Sequence, residues 1–116
     1  MIHFYGIPNC DTVKKARAWL DANRVAYEWV DLRKSPPSAD DLARWCKAVG
    51  WQTLLNRRGT TWRTLDDATK AAVVDEPTAI ALMRARPTMI KRPVVEAAGG
   101  VVVGFSEEAY AKRFAR

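Results

Sequence analysis

Apolar and polar positions along the chain follow two periods, and the switches between them mark the elements. Ile2 and Phe4, with β-favouring neighbours from Met1 to Tyr5, read as a first strand buried on at least one side. From about Asp11 to Asn23 the spacing becomes helical, with Val13, Ala16 and Leu20 on one face and Lys14, Lys15, Arg17 and Asp21 mostly elsewhere. Asn23-Arg24 ends that helix, and Val25 to Leu32 returns to a strand pattern. A strand, a helix and a strand in so short a stretch predict a βαβ unit with a parallel pair.

Ser35-Pro36-Pro37-Ser38 interrupts the pattern. Ser38 with Asp41 resembles a capping box for a helix running to about Val49, whose apolar stripe is Leu42, Trp45, Cys46 and Val49, and Gly50 suits its C-terminal cap. The next segment predicts a helical turn near Thr53–Asn56, a loop around Arg58-Gly59-Thr60-Thr61 and a helix near Asp66–Val74. Pro77 fits the first turn of a further helix ending near Ala85. After Pro87, Pro93–Glu96 and Val101–Val103 flank Ala98-Gly99-Gly100, a hairpin signal. Ser106-Glu107-Glu108 then caps a last helix, with Lys112, Arg113 and Arg116 towards its end as the dipole prefers. The expectation is an α/β chain ordered βαβ then ββα, with a helical insert at roughly 34–87 inside a single domain spanning 1–116.

Composition narrows the class. At 116 residues, with 48% hydrophobic and 28% charged positions, the chain suits one globular domain that builds its core without disulfide staples. No apolar run reaches the length of a membrane span, and the first residues lack the basic start and apolar stretch of a signal peptide. Two cysteines at 10 and 46 do not make a secreted disulfide framework, so a cytoplasmic location is expected. The net charge of +6 calls for an anionic partner. The basic residues sit in separate pairs (Lys14-Lys15, Arg57-Arg58, Lys91-Arg92) without a recognition helix or zinc finger, so nucleic acid is not the expected partner. Such pairs either form a solvated surface or converge on one small anion. No metal-ligand spacing stands out, no membrane partner is expected, and a monomer is expected.

The candidate chemistry centres on Cys10. It follows a strand and the Gly6-Ile7-Pro8-Asn9 turn and directly precedes a helix. A thiol at a helix N-terminus faces unpaired backbone N–H groups and the positive end of the dipole, which favours its thiolate. Asp11 opposes this unless it serves as the helix cap and turns away. Val13 stands where a Cys-x-x-Cys motif would have its second thiol, and Cys46 falls on an apolar stripe, so an oxidised Cys10 needs an external reductant, glutathione being the economical choice. Arg58 and Arg92 are placed to hold an oxyanion or carboxylate, and Arg92-Pro93 is a candidate cis bond. His3 reads as structural or exposed, and the tryptophans as mostly core.

Three separated motifs carry a resemblance. Tyr5-Gly6-Ile7-x-x-Cys10-Asp11-Thr12-x-Lys14-Lys15-Ala16, Leu54-Leu55-Asn56-x-Arg58-Gly59-Thr60-Thr61-Trp62-Arg63 and Met89-Ile90-Lys91-Arg92-Pro93 are similar to the arsenate reductase-like (ArsC/Spx) family, closest to its YffB branch, as is Gly104-Phe105-Ser106. The resemblance implies a thioredoxin-like (glutaredoxin-like) core with a helical insert, a cis peptide before Pro93 and Cys10 as the catalytic thiol. It implies Lys14, Arg58 and Arg92 as thiolate- or anion-stabilising residues, with Asn9, Thr12, Asn56 and Pro93 in substrate binding. Arsenate reductases of the family hold arsenate with three arginines; Arg92 matches one, while the others fall on Asn56 and Gly104. Each charge-assisted contact contributes about 1.5–3 kcal/mol, so a thiol/disulfide reductase is expected ahead of an arsenate reductase. Such an enzyme has no tightly bound cofactor. It uses glutathione as co-substrate, an anionic or oxidised-sulfur substrate, and glutaredoxin as a further candidate partner. An Spx-like regulator that binds RNA polymerase is the alternative from a different class; most Spx proteins carry the Cys-x-x-Cys that is missing here.

Overall fold

The computed structural model describes residues 2–114. In chain order they form β1 (His3–Gly6), α1 (Asp11–Ala22), β2 (Glu28–Asp31), α2 (Ala39–Val49), α3 (Trp51–Leu54), α4 (Thr60–Arg63), α5 (Asp67–Ala71), α6 (Glu76–Ala85), a 3-10 turn (Pro87–Met89), β3 (Val94–Ala97), β4 (Gly100–Val103) and α7 (Glu107–Phe114). They fall into two compact units, residues 2–35 with 92–114, and Pro36–Lys91.

The first unit is a four-stranded sheet in the order β2-β1-β3-β4, the thioredoxin-like α/β arrangement. Phe4 lies opposite Trp29 in the parallel β1–β2 pair and opposite Val95 in the antiparallel β1–β3 pair. Alternation along β1 sends Phe4 and Gly6 to the core, where the apolar stripe of α1 (Val13, Ala16, Leu20) meets Val95 and Tyr110. Each large side chain buried there contributes about 1.5–3 kcal/mol. Tyr110 on α7 anchors this core: the rings of Trp19, Phe105 and Phe114 approach it edge-on at 5.7, 4.8 and 5.4 Å. Its buried hydroxyl donates to the Gly104 carbonyl at 3.0 Å, and burial pushes the phenol above its ordinary range.

In the second unit the Ser38 capping box forms as expected, with Asp41 N–H donating to Ser38 Oγ at 3.0 Å and Ser38 N–H to Asp41 Oδ2 at 3.1 Å. Leu42, Trp45 and Cys46 are buried, and α2 contacts both α3 and α6. Asp75 caps α6, and Pro77 lies in its first turn.

Several boundaries differ from expectation for identifiable reasons. Val25 is buried but belongs to no strand, because its N–H bonds the Leu20 carbonyl at 2.9 Å and closes the end of α1. β2 therefore starts only at Glu28. The turn expected near Thr53–Asn56 lies at Trp51–Leu54, since Leu55 is drawn into a bridge with Ile90 and Asn56 N–H bonds the Met89 carbonyl. Thr60 and Thr61 open a helical turn instead of continuing the loop. The helix expected over 66–74 stops at Ala71; beyond it, Val74 N–H is taken by Thr78 Oγ1 of the next cap. Met1 and Arg116, expected in the first strand and near the end of the last helix, lie outside the described residues.

Gly6 shows how closely α1 lies on the sheet. A Cβ built there would stand 3.0 and 3.1 Å from the two Val13 methyls. Gly6→Ala is expected to lower stability by about 1–3 kcal/mol through overpacking. Urea unfolding measures this, and an unchanged midpoint would show that α1 yields freely.

Candidate functional site

Topology sets the position of Cys10. A parallel pair needs a crossover, so α1 must start beyond the C-terminal end of β1. The Ile7–Asn9 turn makes that connection, with Cys10 N–H directed at the Ile7 carbonyl at 3.5 Å. Cys10 occupies the N-cap of α1, with φ −96° and ψ 123°, and its carbonyl accepts from Lys14 N–H at 3.0 Å. Its half-buried side chain makes no capping hydrogen bond. Asp11 does not cap the helix: it is the first helical residue and is exposed, because the extended backbone of the N-cap falls one position earlier, at Cys10. Asn9 and Thr12 flank the thiol in exposed positions, and Lys14, also exposed, lies four residues along the helix from Cys10.

β3 runs antiparallel to β1 with Val94 opposite Tyr5, so β3 begins at the end of the sheet where β1 finishes. Arg92-Pro93, immediately before Val94, therefore lies at the same sheet end as the turn leading to Cys10. The bond between them is cis; Pro93 is buried and Arg92 half-buried. Gly104 N–H holds the Pro93 carbonyl at 2.8 Å. At Gly104 the backbone has φ +82° and is buried, a conformation that favours glycine and disfavours the arginine of the family clamp. One sheet end thus gathers Asn9, Cys10, Thr12, Arg92 and Pro93, with Lys14 one helical turn on.

Asn56 and Arg58 lie in the second unit, in a cleft of about 320 Å³. Its other polar lining residues are Gln52, Thr53, Arg57 and Lys91. Asn56 Oδ1 accepts from Arg58 N–H at 3.2 Å, and the Arg58 carbonyl accepts from Arg63 Nη2 at 2.9 Å. The Arg57 guanidinium lies 5.7 Å from the centre of the Trp51 ring. Arg57 and Lys91, which line this cleft, were not among the candidate site residues of the sequence, although both belong to the basic pairs noted there.

The chain's second thiol has a different environment. Cys46 is buried on α2, and burial, reinforced by the Glu76 carboxylate, pushes its thiol up to about 11.

The ArsC family model matches residues 5–113 of this chain. Among solved structures, the YffB protein is 53% identical, with 97% of each chain covered and a TM-score of 0.92. An arsenate reductase (ArsC) related protein from Brucella melitensis is 44% identical over 97% of this chain and 93% of that one, with a TM-score of 0.76. The global transcriptional regulator Spx of Streptococcus mutans is 26% identical over 93% of this chain and 79% of its own length.

The raised Cys46 thiol predicts that iodoacetamide at mildly alkaline pH labels native Cys10 and spares Cys46, of which about one in a thousand is ionised at pH 8. Peptide mapping checks this, and equal labelling of both thiols contradicts it. The folded chain also keeps a proton that the unfolded thiol releases. Stability from this source is therefore fully present below the ordinary thiol range and is lost as pH rises towards about 11.

Proposed function

Because the chain belongs to the ArsC family, of arsenate reductase-like proteins, we propose that it is a glutathione-dependent thiol/disulfide reductase with the Cys10 thiolate as its nucleophile. What supports this reading is the position of Cys10, an accessible N-cap thiol on a twelve-residue helix, with Arg92-Pro93 at the same end of the sheet. The helix terminus and Lys14 favour negative charge on sulfur. Arg92 and Arg58 act as donors for the anionic partner, while Asn9, Thr12, Asn56 and Pro93 shape its binding.

The exchange runs in two displacements. The Cys10 thiolate attacks one sulfur of the disulfide R–S–S–R′, the S–S bond breaks, and R′S⁻ leaves and takes a proton from water. A glutathione thiolate then attacks the R sulfur of the Cys10–S–S–R mixed disulfide. This forms R–S–S–glutathione and returns the Cys10 thiolate; a second glutathione thiolate then displaces RS⁻ from that product and forms glutathione disulfide, so the two electrons come from two glutathione thiols. The external donor is required because Val13 stands where a resolving cysteine would be and Cys46 is buried.

A regulator reading has one observation in its favour, the similarity to Spx. Incubation with oxidised glutathione separates the readings. Reductase chemistry predicts a glutathione adduct on Cys10 by mass spectrometry, absent in Cys10→Ser and slowed about tenfold in Arg92→Gln. No adduct on Cys10 overturns it. RNA polymerase captured equally well by wild-type and Cys10→Ser protein favours the regulator. Arsenate turnover that depends on Cys10 and Arg92 favours an arsenate reductase.

A further inference from the structure

Some exposed cations have carboxylate partners, Arg44 with Asp41 at 3.0 Å, Arg33 with Asp31 at 3.7 Å and Lys112 with Glu108 at 3.4 Å, while others, such as Lys34, Lys47 and Arg84, make no ion pair among the described residues. Arg57, Arg58 and Lys91 are set apart by sharing one place. They are exposed around one cleft of the helical unit, and among the described residues none of the three makes an ion pair. The lining of the cleft contains no aspartate or glutamate.

Backbone bonds hold these cations near one another. Lys91 N–H bonds the Leu54 carbonyl at 2.8 Å, and Asn56 N–H bonds the Met89 carbonyl at 2.7 Å, on either side of the Leu55–Ile90 bridge. Lys91 is thereby fixed alongside the segment that carries Arg57 and Arg58. Trp51 backs the Arg57 guanidinium. The Asn56 side-chain oxygen is engaged by Arg58 N–H, which leaves the amide nitrogen as its donor. Three cations in a concave site, joined by amide and hydroxyl donors and opposed by no acid, create a positive potential that an anion relieves.

We propose that this cleft is a binding site for a carboxylate or inorganic oxyanion, and that it selects anions with no ammonium group beside the charge. An adjacent ammonium would meet three cations and find no carboxylate. Of the two ends of glutathione, the glycine carboxylate therefore fits and the γ-glutamyl end, with its α-ammonium, does not. In naming glutathione as one source of the anion, the proposal rests on the thiol-exchange reading; free phosphate is the other source, with the same chemistry.

Calorimetric titration of the full chain tests the site without thiol chemistry. The ligands are S-methylglutathione, the same compound with its glycine carboxylate converted to an amide, and inorganic phosphate. With a peptide carboxylate as ligand, S-methylglutathione binds, and Arg57→Gln and Lys91→Gln each raise its Kd about tenfold. The amide loses affinity to a similar degree, and added salt weakens binding. If phosphate alone binds, with the same dependence on Arg57 and Lys91, the site stands with an inorganic oxyanion as its ligand. The proposal is overturned if the wild-type chain binds neither anion, if both variants leave the affinities unchanged while circular dichroism shows them folded, or if the amide binds as tightly as the acid. Anion binding without a Cys10 adduct sinks the exchange reading alone. A normal adduct with unaltered affinity in both variants sinks the cleft alone.

Discussion

The pairing of β1 with β3, Tyr5 opposite Val94, is the constraint on which the thiol site depends. β1 ends at Gly6 and feeds the turn to Cys10, while β3 starts just after Arg92-Pro93. Antiparallel pairing in this register brings those two segments to one end of the sheet, although more than eighty positions separate them in sequence. Val94 and Val95 are both buried, so a one-residue slip would exchange two packed faces and break the fit of each. The core that fixes the register therefore also fixes the site.

The same core holds the third segment of that sheet end. Tyr110 is buried among Trp19, Phe105 and Phe114, and its hydroxyl must find an acceptor there; it takes the Gly104 carbonyl. The Gly104 N–H in turn bonds the Pro93 carbonyl. An aromatic residue on α7 is thus connected to the segment beside Cys10 through a glycine whose left-handed backbone disfavours a side chain. The absence of an arginine at that position fits thiol exchange better than a three-arginine grip on a dianion.

The helical unit contributes charge of one sign. The Leu55–Ile90 bridge aligns two basic segments, and their cations remain without acidic partners among the described residues. The two thiols are separated by environment in a comparable way. Cys10 lies at a helix start with access to solvent, whereas Cys46 lies on a buried stripe that keeps it protonated.

Much of this was legible from residue order, because its causes are local. The 3.6-residue stripes of α1 and α2, the Ser38–Asp41 box, the glycine-marked hairpin and the cap position of Cys10 depend on neighbours within a few residues. What sequence misjudged was decided by partners far along the chain or in competition with local pattern. Val25 looked like strand until its N–H closed α1, and the turn at 53–56 moved once Ile90 claimed Leu55. Composition showed that the basic residues came in pairs but not which of them share a cleft, because that depends on hydrogen bonds between residues 54–56 and 89–91. The sequence by itself determined the element order and the place of Cys10 between the first strand and α1. Only the tertiary structure decided that Arg92-Pro93 adjoins the sheet end leading to Cys10 and that Lys91 joins Arg57 and Arg58, since strand register and long-range backbone bonds form only when the chain closes on itself.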